Sequence, residues 1–553
     1  MIRSWQTCIF LVILSIIYVE LEARGTQWQC PPSEPKCDCN SRLTNKTRIP
    51  YRADCSNQNL NHIPKLIQNY TKLKFSGNIL PRINRTTFVN LRKLPISELF
   101  LNTCKIEHVD ADTFNDLHSL EFIDFSNNSK INISQLATCF RTTNLIGIAL
   151  SDIPLGRYVV DFFNTSAAEK LKFVRLAACN ITALTHEMFE HLQNLIELDV
   201  SRNILYSIDM TVIPPVKVFS AKYTELSVLK FPSNTSITSS LTRLDLSNNR
   251  FTNLSLFYHY SHVFKHLEDL YTDSNPIDFL PIETFSQLSV LNSLSLCNIT
   301  SYLHVFAGIN NSALRHLNLS YNEISPKYSK TFLKDAPNLK YLKMDSVDMS
   351  KWTDSDITAF LQPLCSTLDH LLLPRTYFKS IPSNALRCFK KIKVLDLSSN
   401  NISSWDHETF VNVTIKSQLL LKNNKLEIIK ENFFPRNIID GYGIHRLPYL
   451  DFKGNPFSCT CEIHWFRTWL RTGYFRFRGS RGNNYLCHSP EHLKNTPFVD
   501  YDPDYEDCFS MNMAIAVALS LCCACMVLVT STSYILNLYR KRYPEKQYYR
   551  IVN

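Results

Sequence analysis

Residues Leu241–Asn249 read LTRLDLSNN. Leucines at the first, fourth and sixth positions, with an aspartate between the last two, fit a short strand that buries one side. The ninth position is an asparagine, whose amide offers both donors and acceptors to neighbouring main chain. Outward from this stretch the spacing returns in LRHLNLSYN from Leu314 and IKVLDLSSN from Ile392. Further starts fall near Tyr70, Ile96, Leu120, Leu145, Leu171, Leu195, Val216, Leu267, Leu291, Leu339, Leu368, Lys416 and Leu447, at steps of about 24 residues.

The ninth position is Asn78, Asn128, Asn203, Asn249, Asn275, Asn322, Asn400, Asn424 or Asn455, and Cys104 or Cys179 in two more copies. Ten residues later comes Phe88, Phe114, Phe189, Phe285, Phe332, Phe410 or Phe434, a set placed to stack as a spine on the far side of the core. Two markers in fixed phase over about sixteen copies identify a leucine-rich-repeat solenoid. The expected fold is α/β and curved, with parallel strands on the concave face, a cysteine cap at each end and one transmembrane helix. Strands about 4.8 Å apart line an arc of roughly 75–80 Å. The copies near Leu145, Val216, Leu291, Leu339 and Leu368 lack the asparagine, so the ladder is expected to be weak there.

Composition agrees with one body. A chain of 553 residues suggests three or four domains at ~150 residues each, but no repeat can bury its apolar face alone, so the array counts once. Eleven glycines against 25 prolines are too few for a dinucleotide fold or a phosphate loop, and 45% apolar residues exclude general disorder. The +10 charge lies in no long run, which gives nucleic-acid binding little support.

The ends set the compartment. Residues 1–25 read as a signal peptide: Arg3, an apolar run from Cys8 to Val19, then the small-x-small site Ala23-Arg24-Gly25. Met513 to Leu536 is uncharged, about 36 Å long as a helix, and followed by Arg540-Lys541-Arg542, so it is expected to span the membrane with the N-terminus outside. Sequons begin at Asn45, Asn69, Asn84, Asn127, Asn132, Asn164, Asn180, Asn234, Asn253, Asn298, Asn310, Asn318, Asn401 and Asn412, all on the expected extracellular side. Asn318 falls between two core leucines, where a glycan would obstruct the inner face. The tail, 537–553, is basic and carries overlapping Y-x-x-Φ sequences at Tyr548 and Tyr549.

Cys30, Cys37, Cys39 and Cys55 precede the first repeat (cap 26–60), and Cys459, Cys461, Cys487 and Cys508 follow the last (cap 456–510), bracketing repeats over 61–455. In an oxidising compartment such fours form two disulfides each, with three connectivities open per cap. Cys365 and Cys388, 23 residues apart, are placed to bridge adjacent turns. Cys104 and Cys179 read as small buried residues.

The second cap reads NPFSCTCEIHWFRTWL from Asn455, then YLCHSPEHLKNTPFVDYDPDYEDC from Tyr485. With the span and basic stop close behind, this resembles a toll-like receptor ectodomain from Cys30 to about Tyr543. The resemblance implies Cys459 paired with Cys487, Cys461 with Cys508, Cys30 with Cys39 and Cys37 with Cys55. It also implies a receptor for microbial or endogenous molecules at the plasma or endosomal membrane, acting as a homo- or heterodimer. Where that family carries a cytoplasmic Toll/interleukin-1 receptor domain, seventeen residues follow the span here. The expected form is therefore a truncated, decoy or co-receptor version that pairs with a full-length signalling receptor. A leucine-rich-repeat adhesion protein without signalling is the alternative.

No cofactor, metal or catalytic set is expected. His186-Glu187-Met188-Phe189-Glu190-His191 spaces its histidines five apart, about 140° off the shared face that a zinc-binding H-E-x-x-H needs. Phe189 already belongs to the spine. The ligand class is not legible.

Overall fold

The computed structural model describes residues 27–29, 37–44, 47–66, 69–231, 240–299, 308–381, 383–410, 413–430, 433–434, 449–471, 476–477, 485–502 and 505–542. The expected signal peptide, the tail beyond Arg542, Cys30 and the sequons at Asn45, Asn234 and Asn412 lie outside these residues.

Leu241, Leu244 and Leu246 are buried, and Arg243 and Asp245 flank the central leucine on the strand Arg243–Asp245. That strand pairs in parallel with Val218–Ser220 and Asp269–Tyr271, placing Leu244 beside Phe219 and Leu270. One apolar residue per strand thus stacks along the core while its two neighbours face outward. Among the described residues the main sheet has 20 strands, parallel from Thr47–Asp54 through Lys72–Lys74 to Arg476–Phe477. Its first edge is closed differently: Gln27–Gln29, Asp38–Thr44 and Thr47–Asp54 pair antiparallel. This hairpin covers an edge that a parallel array would leave open.

Each repeat start read from the sequence leads into a strand, with one shift. Ile415, not Lys416, fills the first apolar position, because the strand Thr414–Leu420 bulges where it meets Lys391–Asp396.

The asparagines form the expected ladder. Asn249 Nδ2 donates to Ala221 O at 2.7 Å and to Leu246 O at 2.9 Å, while its Oδ1 accepts from the Thr224 and Leu226 amides at 3.0 Å. Groups of two turns that no strand partner reaches are satisfied by one side chain. Two of the copies expected to be weak keep a substitute. Thr224 Oγ1 donates to Ala221 O at 2.8 Å and Thr376 Oγ1 to Leu373 O at 3.0 Å. Cys104 and Cys179 point thiols at Phe75 O and Leu150 O, 3.2 and 3.1 Å away. Only apolar side chains stand at Ile153, Ile299 and Val347, all buried.

On the far side Phe88 meets Phe114 at 5.2 Å. The spine also takes members outside the ten-residue spacing: Phe140 against Phe162 at 5.2 Å, Phe257 against Phe285 at 6.0 Å and Phe360 against Phe332 at 5.6 Å. Phe140 ends the helix Ile133–Phe140, and Phe360 sits on the helix Asp354–Leu361, which a Thr353–Asp356 capping box starts. Longer convex segments bring their aromatics in at a different phase.

The C-terminal end is closed by aromatic packing of Phe434, Trp465, Phe466 and Trp469 from the last turn and the helix His464–Arg471. Soon after comes the helix Tyr505–Arg542, longer at both ends than the expected span. Its stretch Val517–Leu538 is long and apolar enough to cross a membrane, and its described side chains are exposed.

Candidate functional site

Outward residues of adjacent strands form two columns on the concave face, and their chemistry changes along the array. Near the N-terminal end Lys72 pairs with Glu98 at 2.8 Å and lies 4.7 Å from the Phe100 ring centroid. Phe100 meets Phe122 at 5.5 Å. Gly147 occupies the next strand, where a Cβ would come within 2.7 Å of Phe122 Cδ2 and 3.2 Å of Phe173 Cβ. The absent side chain is what lets Phe122 and Phe173 close over the strand.

The middle of the face is polar and more ordered by ion pairs. Arg243 holds Asp269 with Nε and Nη2, at 3.0 and 2.8 Å. Beyond Ser293, three successive strands carry His316, Tyr341 and His370 in one column. Their ring centroids are 6.1 and 5.7 Å apart. Burial lowers the pKa of His370 below the usual imidazole value and pushes the Tyr341 phenol up to about 12, so both are neutral at pH 7. Asp273 accepts from Ser295 Oγ at 2.6 Å and the Cys297 amide at 2.7 Å, yet burial still raises it to about 6. Asp345, buried, is held by Arg375.

The sequon asparagines sort by face. Asn69, Asn127, Asn132, Asn164, Asn180, Asn253, Asn298 and Asn401 are exposed, and all lie outside the strands. Asn84 and Asn310 are half-buried. Asn318 stands apart on the strand His316–Asn318: it is 8% exposed, its Nδ2 donates to Ser295 Oγ at 3.0 Å and its Oδ1 accepts from Ser320 Oγ at 2.7 Å. The amide nitrogen that a glycan would need is committed inside the fold.

Cys37 is bonded to Cys55, Cys365 to Cys388 and Cys459 to Cys487. Cys39 and Cys461 are also disulfide-bonded. Cys508 lies near the start of the long helix. The Cys365–Cys388 bond ties together the convex segments of neighbouring repeats. Cys104, Cys139 and Cys179 are free thiols and buried, and burial raises them to between about 11 and about 12, which leaves them unreactive.

The histidines of the 186–191 segment do not converge. His186 is exposed, His191 faces Glu169 at 3.3 Å, and Phe189 between them is buried in the core. Among the described residues no group of three or more His, Cys, Asp or Glu side chains is placed to hold a metal ion.

Residues 240–259, which contain the LTRLDLSNN stretch, match the family model described as Leucine Rich Repeat. CD180 antigen of Mus musculus is 25% identical over 452 residues, covering 81% of this chain and 53% of that protein. The chain resembles a toll-like leucine-rich-repeat ectodomain. It spans about half the length of CD180. Keratocan of Coturnix japonica is 23% identical over 326 residues, 54% of this chain and 81% of keratocan. Among solved structures the TLR13-ssRNA13 complex aligns with TM-score 0.40 at 21% identity, over 78% of this chain and 53% of that one. The repeat array combines a polar central strand face with turns that carry the exposed sequons.

The platform of His316, Tyr341 and His370 was missed in the sequence because each residue lies at the variable outward position of a different repeat. The intervals, 25 and then 29 residues, break the period that would have revealed a column.

Proposed function

We propose that this chain is a single-pass cell-surface receptor of the toll-like type that binds a microbial or endogenous ligand on its concave strand face and serves innate immunity. One observation carries the reading. The strand face has no exposed sequon among the described residues, whereas the turns and convex segments carry eight. A strand face without exposed sequons among the described residues is open to a ligand, and its central polar groups are preorganised by paired charges. The apolar stretch Val517–Leu538 supports membrane attachment, at the plasma membrane or in an endosome. The receptor acts as a homo- or heterodimer through its ectodomain, a full-length signalling receptor being one such partner. Cap bonds Cys30–Cys39 and Cys461–Cys508 complete the two ends.

The similarity to keratocan supports a second reading, a leucine-rich-repeat adhesion or matrix protein that relays no signal. Full-length chain displayed on cells separates the two. Binding of heat-killed bacteria or yeast, with increased energy transfer between labelled copies, is expected of the receptor. Cell aggregation without either response indicates adhesion.

A further inference from the structure

We propose that His316, Tyr341 and His370 form a binding platform for a neutral polysaccharide. The inference rests on the receptor reading above and names the chemistry that the central strand face fits.

Parallel pairing sets His316 beside Tyr341 and Tyr341 beside His370, so the rings advance by one strand at a time, about 4.8 Å per step. The centroid distances of 6.1 and 5.7 Å, with interplanar angles of 41° and 38°, leave the rings unstacked. Each ring retains accessible surface: His316 is exposed, and Tyr341 and His370 are half-buried. A row of separate, fixed, partly apolar rings suits a chain of repeating units whose faces carry C–H groups and whose edges carry hydroxyls. Hydrogen-bonding groups flank the row, with Ser293 on the strand before it and Lys343 on the strand of Tyr341.

Charge disfavours other ligands. Arg243, Arg375 and Lys393 are each paired with a carboxylate, those of Asp269, Asp345 and Asp369. Among the described strands around the platform, no row of unpaired cations is left to replace the counterions of a polyanion such as RNA, Lys343 standing by itself. The flanking polar groups likewise give no continuous apolar surface for an acyl chain. A polyhydroxylated, uncharged chain needs neither, and it gains hydrogen bonds on both sides of an aromatic row.

The test uses the full-length chain in lipid nanodiscs and measures binding of oligomers of β-1,3-glucose, mannose and N-acetylglucosamine, with a single-stranded polyuridylate as the charged comparison. At least one neutral oligomer is expected to bind. Tyr341→Ala and His370→Ala should each weaken binding about tenfold or more, the usual scale for losing an aromatic anchor. Tyr341→Phe should keep most of the binding. Tyr377→Ala, at a 61% exposed residue in the turn beyond the strands, should change nothing. Matching thermal melts show that the variants are folded. The proposal is overturned if no neutral oligomer binds, or if binding survives both alanine variants. Polyuridylate binding that Tyr341→Ala abolishes also overturns it, while leaving the concave face as a ligand surface.

Discussion

Arg375 Nη2 donates to the Tyr321 hydroxyl at 3.2 Å, although 54 residues and a whole intervening repeat separate them. On the way it holds the Asp345 carboxylate, and its Nε donates to Ser346 Oγ at 2.9 Å. The intervening repeat is the one in which Val347 replaces the ladder asparagine. An outer clasp thus crosses the turn where the inner ladder has no polar group. Replacing Arg375 by methionine leaves a buried carboxylate without its cation. The expected loss is about 1–2 kcal/mol, since the guanidinium is partly solvated. Arg375→Lys should recover little of it, because one ammonium cannot reach the same set of acceptors. Chemical denaturation of the three proteins checks this; equal midpoints would mean that the clasp is incidental.

Asn249 makes a stronger demand. Alanine there leaves the Thr224 and Leu226 amides without a buried acceptor, while Ala221 O keeps Thr224 Oγ1 and Leu246 O keeps Asn275 Nδ2, at a cost of about 2–4 kcal/mol. Cys104→Ala removes one weak thiol donor and should cost about 1 kcal/mol or less. The same denaturation series ranks them, and a Cys104 variant as damaging as the Asn249 variant would contradict the ladder account.

Repeat phase, ladder and cap cysteines were legible because each imposes a fixed spacing on the chain. Leu244 must be buried wherever its strand lies, and Asn249 must reach the same carbonyls in every copy. What faces outward obeys no such rule. Thr224 and Thr376 substitute for asparagine because a hydroxyl can reach the same carbonyl, which a search for asparagine overlooks. Ile415 displaced Lys416 because a bulge moved the register by one residue. The column of His316, Tyr341 and His370 becomes visible only when strand pairing brings three distant positions together.

Glycan mapping tests the face assignment. Enzymatic deglycosylation in heavy-oxygen water should mark occupied sites among Asn127, Asn132, Asn180, Asn253 and Asn298 and leave Asn318 unmarked. Substantial occupancy at Asn318 would require a different packing of the strand His316–Asn318.

Asp273 sets a pH signature. Its folded pKa, about 6, lies above the ordinary carboxylate value of 3.8, so the folded state binds the extra proton between those values. Asp273 therefore weakens the fold fully above about pH 6, and the penalty fades as pH falls towards about 4. Asp273→Asn keeps an oxygen acceptor for Ser295 and the Cys297 amide. It should raise the melting temperature at pH 7.5, with the difference from wild type shrinking on acidification. A difference that grows on acidification would reverse the sign argued here.

The most direct check of the central claim is a glycan placed on the strand face itself. Ser293→Asn creates Asn-Leu-Ser on the strand Ser293–Ser295, and Glu225→Asn creates the same tripeptide at a turn outside the strands. Both variants of the full-length chain are displayed on cells at matched surface levels and confirmed as glycosylated, and their binding of heat-killed bacteria and yeast is measured. The strand-face account predicts that Ser293→Asn abolishes binding and Glu225→Asn preserves it; binding that survives Ser293→Asn and is lost with Glu225→Asn would contradict it.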